Sequence, residues 1–152
     1  MNPTGKTLRA RALAMLARGE YSRAQLQQKL APYAETEAEL TALLDDLGQR
    51  LWQSDQRFAE LLVHSKGQRF GNRRLRQELT AKGVDEAIIH ATVADADAEL
   101  GRACAVLRKK FKTPATTPAD NQRQMRFLAY RGFGMDTIQA ALKQAWDETP
   151  AD

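Results

Sequence analysis

The sequence predicts an all-α fold built from helical modules arranged in series. Three observations support this prediction: apolar residues recur at the three-and-four spacing of a helix face, helix-capping residues separate these segments, and one short pattern occurs three times. Leu and Ala supply most of the apolar 43% of the chain, alongside many Arg, Gln and Glu, and this mixture favours helix. Five prolines and nine glycines are too few for a turn-rich β-sandwich.

Apolar stripes predict helices one after another along the chain. They are Leu8, Ala12, Met15 and Leu16; Leu40, Leu43, Leu44, Leu47 and Leu51; Phe58, Leu61 and Leu62; Leu75 and Leu79; Ile88, Ile89 and Val93; Leu100, Cys104, Leu107 and Phe111; and Ile138, Ala141, Leu142 and Ala145. The segment Thr113–Pro118 contains two prolines and cannot be helical in its middle. We therefore expect eight or nine helices joined by short turns, with one longer loop near residues 113–118.

Residues at the expected helix ends agree with this reading. Ser22 with Gln25, and Thr36 with Glu39, have the form of capping boxes, in which side chain and backbone satisfy each other's unpaired groups. Gly83 stands where a helix-terminating residue with left-handed backbone belongs. These signals predict helix starts after Ser22 and Thr36 and a helix end before Gly83.

A repeat underlies the series of helices. It consists of an aromatic residue, a small residue, three free positions, an aliphatic residue, three further free positions and Leu. The pattern occurs at Tyr21-Ser22 with Leu26 and Leu30, at Phe70-Gly71 with Leu75 and Leu79, and at Phe133-Gly134 with Ile138 and Leu142. We expect the aromatic residue to fix a turn, the small residue to cap a helix, and the aliphatic pair to be buried.

Repeats at this spacing indicate one protein over residues 1–152 with approximate modules at 7–50, 54–98 and 100–147. Modules that contact mainly their neighbours stack into an elongated molecule with a long exposed face. The alternative is a chance similarity among amphipathic helices.

Positive and negative charges are segregated along the chain, whose net charge is +4. Two segments are basic: Lys66, Arg69, Arg73, Arg74, Arg76 and Lys82 stand against the single acid Glu78, and Arg102, Arg108, Lys109, Lys110 and Lys112 stand against none. Segments 35–46 and 85–99 carry five acids each and no Lys or Arg. A surface without a binding role usually intersperses the two signs. The basic segments predict a surface for an anionic partner, with a solvated face as the alternative.

Residue sets that would indicate catalysis or metal binding are missing from the sequence. It has two histidines, His64 and His90, and one cysteine, Cys104, so neither a disulfide nor a structural zinc site is expected. Cys104 has core-face spacing and is expected to be buried. Asp45-Asp46 could bind a hydrated metal, yet acids on an exposed helix are commonly just solvated. We expect no enzyme, cofactor or metal, and no signal peptide or membrane helix, which indicates a cytoplasmic protein.

Several segments together resemble the RecX family, bacterial regulators of the RecA recombinase. The resemblance runs from about Arg11 to Trp146, and its order and spacing are more specific than any single fragment. The fragments are ALAMLAR at 12–18, YSRAQL at 21–26, DQRFA at 55–59, GNRRLRQEL at 71–79, KGV at 82–84 and LAYRGF at 128–133.

The resemblance implies tandem three-helix repeats, about three of them, stacked into an elongated, curved molecule that lodges in the helical groove of a RecA–DNA filament. Such proteins restrain filament growth and lower the ATP hydrolysis, strand exchange and co-protease activity of RecA, in DNA recombination, DNA repair and the SOS response. By the same resemblance, Arg57, Arg73, Arg74 and Arg76 belong to a basic middle-repeat motif that faces the filament. At residues 31–34 the sequence is APYA, where the family often ends the helix with Gly. The first repeat is therefore expected to turn differently.

One alternative function is a helical module that binds DNA directly and competes for single-stranded DNA. Single- and double-stranded DNA both remain possible partners on the charge pattern alone. Independent single-strand binders usually add stacking aromatics to their positive charge. Here only Phe70 and Phe111 lie among the basic residues, at repeat-like or core-like positions. The sequence therefore favours a protein-binding modulator over an independent DNA binder. We expect a monomer.

Overall fold

The computed structural model describes residues 5–93 and 95–147, and within these ranges the chain is helical with no β-strand. Its helices are α1 (Leu8–Arg18), α2 (Arg23–Leu30), α3 (Glu37–Gln49), α4 (Asp55–Lys66), α5 (Asn72–Ala81), α6 (Glu86–Thr92), α7 (Ala96–Phe111), α8 (Pro118–Tyr130) and α9 (Met135–Gln144). The all-α prediction and the predicted number of helices are confirmed for the described residues. The long loop is also where it was expected, between α7 and α8.

The chain forms two compact units. Unit 1 comprises Met1–Leu61 and Leu79–Thr92, and unit 2 comprises Leu62–Glu78 and Val93–Asp152. The expected middle module at 54–98 is thus divided between the two units. The module boundaries themselves remain a prediction.

Unit 1 has a leucine-rich core formed by α1, α2 and α3. Its buried members are Leu8, Ala12, Leu26, Leu30, Leu40, Leu43, Leu44 and Leu47. Two residues of the predicted stripes lie outside any core. Leu51 follows the end of α3, has a left-handed backbone (φ 60°) and is 69% exposed, while Leu61 is 51% exposed on α4. The prediction that these two residues are buried was wrong: α3 ends at Gln49, two residues before Leu51, and Leu61 lies at an exposed position of α4.

The predicted caps of unit 1 are confirmed with one exception. Ser22 and Gln25 form the complete capping box, and Ser22 Oγ also donates a hydrogen bond of 2.6 Å to the carbonyl of Lys82. Thr36 accepts from the backbone N–H of Glu39, but the Glu39 carboxylate accepts from the N–H of Glu35 rather than from that of Thr36. The second box is therefore only half formed.

The two predicted turn chemistries of unit 1 are also observed. Gly83 has the left-handed backbone that its position requires (φ 79°), and a side chain there would collide with Ala24. In the first repeat α2 ends differently, because the single 3₁₀ turn Ala31–Tyr33 with Pro32 inside it replaces a glycine terminus. Within this chain, α2 thus ends in a 3₁₀ turn, whereas the left-handed Gly83 follows the end of α5.

Unit 2 is built around α7, which packs against α8 and α9. Its buried core consists of Ala103, Cys104, Leu107, Leu128, Phe133, Ile138, Ala141 and Ala145. Cys104 is buried as expected. Thr117 caps α8, with Pro118 in its first turn. The side-chain amide of Gln124 donates a hydrogen bond of 3.2 Å to the carbonyl of Thr113, so the α7–α8 loop is fixed to α8.

The repeat pattern has the structural role that the sequence predicted. The small residues Ser22, Gly71 and Gly134 immediately precede α2, α5 and α9. The aliphatic positions of the pattern are buried, except that the last, Leu142, is only partly buried. Each occurrence of the pattern therefore marks a turn followed by the inner face of a helix.

Candidate partner-binding surface

A basic groove lies on unit 2, in a cavity of about 300 Å³. It is lined by Gln68, Arg69, Val106, Lys109, Lys110, Phe127 and Arg131. Arg69 follows α4, the two lysines lie in the last turn of α7, and Arg131 follows α8. The fold therefore joins members of both basic segments, some 40 residues apart in the sequence, on one surface.

Aromatic rings hold the arginines at this groove. The guanidinium carbons of Arg74, Arg69 and Arg131 lie 4.1, 5.2 and 5.5 Å from the centre of the Phe70 ring. Arg131 is also 5.1 Å from the centre of Phe127. Cations at this distance are attracted by the negative face of the ring, while the N–H groups of a stacked guanidinium remain available at its edge. Phe70 thus positions Arg69, Arg74 and Arg131, and its ring is not free to stack on a nucleic-acid base.

A single carboxylate neutralises part of this cluster. Glu78 accepts a hydrogen bond of 2.7 Å from Lys66 Nζ and lies 3.5 Å from Arg74 Nε. Partial burial alone would raise the pKa of Glu78, but the adjacent Lys66 and Arg74 cations outweigh it and lower that pKa below its ordinary value. In the described parts of the chain, the four groove cations Arg69, Lys109, Lys110 and Arg131 form no ion pair with a carboxylate. Their charge is available to an anionic partner.

Other residues of the predicted set make structural contacts. Arg102 is partly buried and donates hydrogen bonds to the carbonyl of Phe70 (3.3 Å) and to Asn72 Oδ1 (2.8 Å). Burial lowers the pKa of Arg102, and the nearby Glu99 carboxylate opposes that change. Arg108 donates a hydrogen bond of 3.1 Å to the carbonyl of Ala145. These two arginines fix the surroundings of the groove.

The rest of the predicted set is distributed over both units. Arg73, Arg76 and Lys112 are exposed on unit 2, and Lys82 is exposed on unit 1. Arg57 belongs to unit 1 and donates hydrogen bonds to Glu20 and to the carbonyls of Leu51 and Trp52. The structure therefore gathers Arg69, Arg74, Lys109 and Lys110 around the groove. Outside its lining lie Arg57, Arg73, Arg76, Lys82 and Lys112.

Sequence reasoning missed Glu99, a buried carboxylate that binds the first turns of α5 and α9. Glu99 is only 6% exposed on α7. Its Oε2 accepts from the backbone N–H of Asn72 (2.5 Å) and its Oε1 from the hydroxyl of Thr137 (2.7 Å). It therefore holds the first turns of α5 and α9, and α5 carries Arg74. In the sequence Glu99 is one of five acids in a segment, and nothing distinguishes it from its exposed neighbours.

A second cationic cleft, on unit 1, was also missed. It has a volume of about 220 Å³ and includes Lys6, Arg11, Arg18 and Lys29 in its lining, with no acid. The guanidinium of Arg11 lies 3.8 Å from the centre of the Tyr33 ring. These cations are scattered over the first 29 residues of the sequence, so no basic segment marked them.

Comparisons with known proteins settle the family. The model of the second three-helix domain of RecX matches residues 54–93, and that of the third matches residues 97–142. The regulatory protein RecX of Neisseria gonorrhoeae strain FA 1090 is 50% identical over 147 residues, covering 97% of this chain and 96% of the relative. The chain belongs to the RecX family. The resemblance seen in the sequence motifs is thus confirmed. The regulatory protein RecX of Chromobacterium violaceum is 45% identical and covers 97% of both chains.

Solved RecX structures confirm the all-α repeat fold. The crystal structure of RecX from Lactobacillus salivarius matches with a TM-score of 0.78 at 16% identity, over 91% of this chain and 94% of that chain. A further crystal structure of a regulatory protein RecX matches with a TM-score of 0.74 at 18% identity, over 90% of this chain and 74% of that chain. Within residues 5–93 and 95–147, no helix is long and apolar enough to cross a membrane.

Proposed function

We propose that this chain is a negative modulator of the RecA recombinase, which binds the RecA–DNA filament and restrains its growth, ATP hydrolysis, strand exchange and co-protease activity. Membership of a regulatory family supports the proposal, and the basic groove of unit 2 is the observation that carries it. We expect the protein to act in the cytoplasm as a monomer, without cofactor or metal, and not as an enzyme.

The groove suits a large anionic partner. Its arginines, Arg69 and Arg131, are positioned by Phe70 and Phe127, so little side-chain freedom of these two residues is lost when they bind. Arg69, Lys109 and Lys110 come from two separate elements, so together they can contact anionic groups spaced along an extended surface. A nucleoprotein filament offers such groups on DNA phosphates and on acidic protein side chains.

Co-sedimentation with RecA–single-stranded-DNA filaments tests the role of the groove. Replacing Arg69, Lys109 and Lys110 together by Ala should weaken binding at least tenfold and leave helicity unchanged, because exposed substitutions usually cost under about 0.5 kcal/mol of stability each. The control replaces Arg123, Arg126 and Lys143, which are also exposed on unit 2 but do not line the groove. Equal binding of the two triple variants would exclude the groove as the contact surface.

ATPase titration separates filament binding from competition for DNA. If the chain binds the assembled filament, inhibition of RecA ATP hydrolysis should follow the RecA concentration and should occur well below one molecule per subunit, since a blocked filament cannot grow past the block. A DNA competitor must cover the strand, and its effect fades steeply with salt as counterions rebind. The measurement uses two DNA concentrations at fixed RecA. A midpoint that follows the DNA concentration would favour the alternative, a helical DNA-binding module.

A further inference from the structure

The turn between α3 and α4 presents two large apolar side chains to solvent. Leu51 is 69% exposed and Trp52 is 44% exposed. Leu51 has a left-handed backbone conformation, which a Cβ atom makes unfavourable and which glycine would adopt without strain. An exposed leucine side chain contributes little to the core, so folding alone gives no reason for leucine at this position. Strained conformations of this kind are enriched at functional sites.

Arg57 holds the turn in this conformation. Its Nη1 donates to the carbonyl of Leu51 (2.9 Å), its Nη2 to the carbonyl of Trp52 (3.0 Å), and its Nε to Glu20. The N–H of Trp52 donates to the carbonyl of Leu47 at 3.0 Å. The backbone of the turn is therefore fixed from two sides, and the two apolar side chains are presented in a defined arrangement. Arg57 is a positioning residue of this turn.

The Trp52 ring is held as well. The guanidinium carbons of Arg9 and Arg50 lie 5.6 and 5.1 Å from the centre of the ring. Both guanidiniums also contact the carboxylate of Asp46, at 2.9 and 3.0 Å. Two positive charges share one negative charge, so a net positive charge surrounds the tryptophan. A fixed tryptophan beside arginines has the composition of the residues that dominate protein–protein binding energy.

We propose that Leu51 and Trp52 insert into an apolar pocket, bordered by carboxylates, on a RecA subunit of the filament. This inference rests on the proposed function and assigns a protein contact to unit 1, separate from the basic groove of unit 2. The apolar side chains of Leu51 and Trp52 would be buried in the pocket. The net positive charge of Arg9, Arg50 and Asp46 would attract the carboxylates at its border. A nucleic-acid base is a poorer partner, because stacking on Trp52 would leave the neighbouring Leu51 side chain, 69% exposed, without an apolar surface to cover it.

Leu51→Gly is the most informative variant, because it separates binding from folding. Glycine relieves the backbone strain, so the melting temperature should stay equal or rise, while binding to RecA–single-stranded-DNA filaments should fall about tenfold or more. Trp52→Ala should weaken binding by a similar or larger factor. Matched controls are Leu61→Ala and Tyr130→Ala, an exposed leucine and an exposed aromatic residue elsewhere on the chain. The controls should bind as the parent does.

Tryptophan emission gives an independent readout. Replacing Trp146 by Phe leaves Trp52 as the single tryptophan, since the chain has two. Filaments should then protect its emission from acrylamide quenching, after subtraction of the filament's own signal, whereas single-stranded DNA alone should not.

The outcomes separate the two proposals. Failure of the parent chain to sediment with filaments would overturn the proposed function and this inference with it. If the parent sediments and the Leu51 and Trp52 variants do so equally, only the inference is wrong. Protection of Trp52 by single-stranded DNA alone would assign the turn to nucleic acid and also overturn it.

Discussion

Removal of the Glu99 carboxylate should destabilise unit 2 more than any other single loss of charge there. Glu99→Ala removes the acceptor of the Asn72 N–H and of the Thr137 hydroxyl, and it removes a negative charge that acts on Arg102. Hydrogen bonds to a charged group contribute roughly 1.5–3 kcal/mol each. With partial compensation by water, the two bonds predict a loss of about 3–5 kcal/mol in the free energy of unfolding.

This loss is large compared with the whole stability of a domain, which is about 5–15 kcal/mol. For a chain of this length, about 1 kcal/mol shifts the melting temperature by roughly 2–4 °C, so a decrease of about 6–20 °C is expected. Glu99→Gln keeps the shape and one oxygen acceptor but loses the charge. Its loss of stability should therefore be about half as large.

Urea unfolding followed by tryptophan emission measures the effect in unit 2. A Trp52→Phe background leaves Trp146, which packs on the unit 2 core, as the reporter. The matched control is Asp97→Ala, which removes an exposed acid from the same first turn of α7. If Glu99→Ala unfolds at the same urea concentration as the Asp97 variant, the buried hydrogen bonds contribute nothing and the reasoning is refuted.

Two further predictions concern the same unit. Gly71→Ala should lower the melting temperature by several degrees, because the new Cβ atom would lie 2.5 Å from the Gly132 carbonyl oxygen. The control Gly134→Ala should be tolerated, because no atom lies within 4 Å of the position of its Cβ. Equal melting curves for the two variants would contradict this prediction. The folded pKa of Glu78 is lowered, so its stabilising contribution is complete above its ordinary pKa near 4.5 and is lost as the pH falls through the lowered value. The free energy of unfolding in urea should therefore fall less for Glu78→Gln than for the parent between neutral pH and pH about 3. An equal fall in both proteins would refute the stabilising role of the Glu78 carboxylate.

Periodicity and capping predicted the helices because these signals are local. An apolar stripe and a cap lie within a few residues of the helix they specify, so the Ser22 box and the Gly83 terminus could be recognised before the fold was known. The wrong burial predictions, such as that for Leu51, occurred where residue spacing was the only basis for assigning a residue to a buried helix face. Leu51 continues the α3 stripe by spacing alone, yet the helix ends before it. Leu51 adopts a left-handed backbone, and the N–H groups of Leu51 and Trp52 donate to the carbonyls of Gly48 and Leu47 in the last turn of α3.

The residues of the binding surface were only partly predictable, because the positions of charged residues in the sequence do not show which of them form hydrogen bonds within the fold. Lys109 and Arg69 are exposed at the groove, while Arg102 and Arg57, equally basic in the sequence, are bound to backbone carbonyls. Arg131 was missed because it lies outside both basic segments. A side chain's partners are set by elements far away along the chain, and a one-dimensional pattern does not contain them.

The sequence by itself determined the helical class, the positions of most turns, the repeat pattern and membership of the RecX family, since each depends on residue types at short spacing or on their order. Tertiary structure alone decided which cations form the groove, which carboxylate binds the first turns of α5 and α9, and which apolar residues remain exposed. The reason is physical: burial and pairing depend on contacts between residues distant in sequence. The Glu99 oxygens find their partners 27 and 38 residues away, at Asn72 and Thr137.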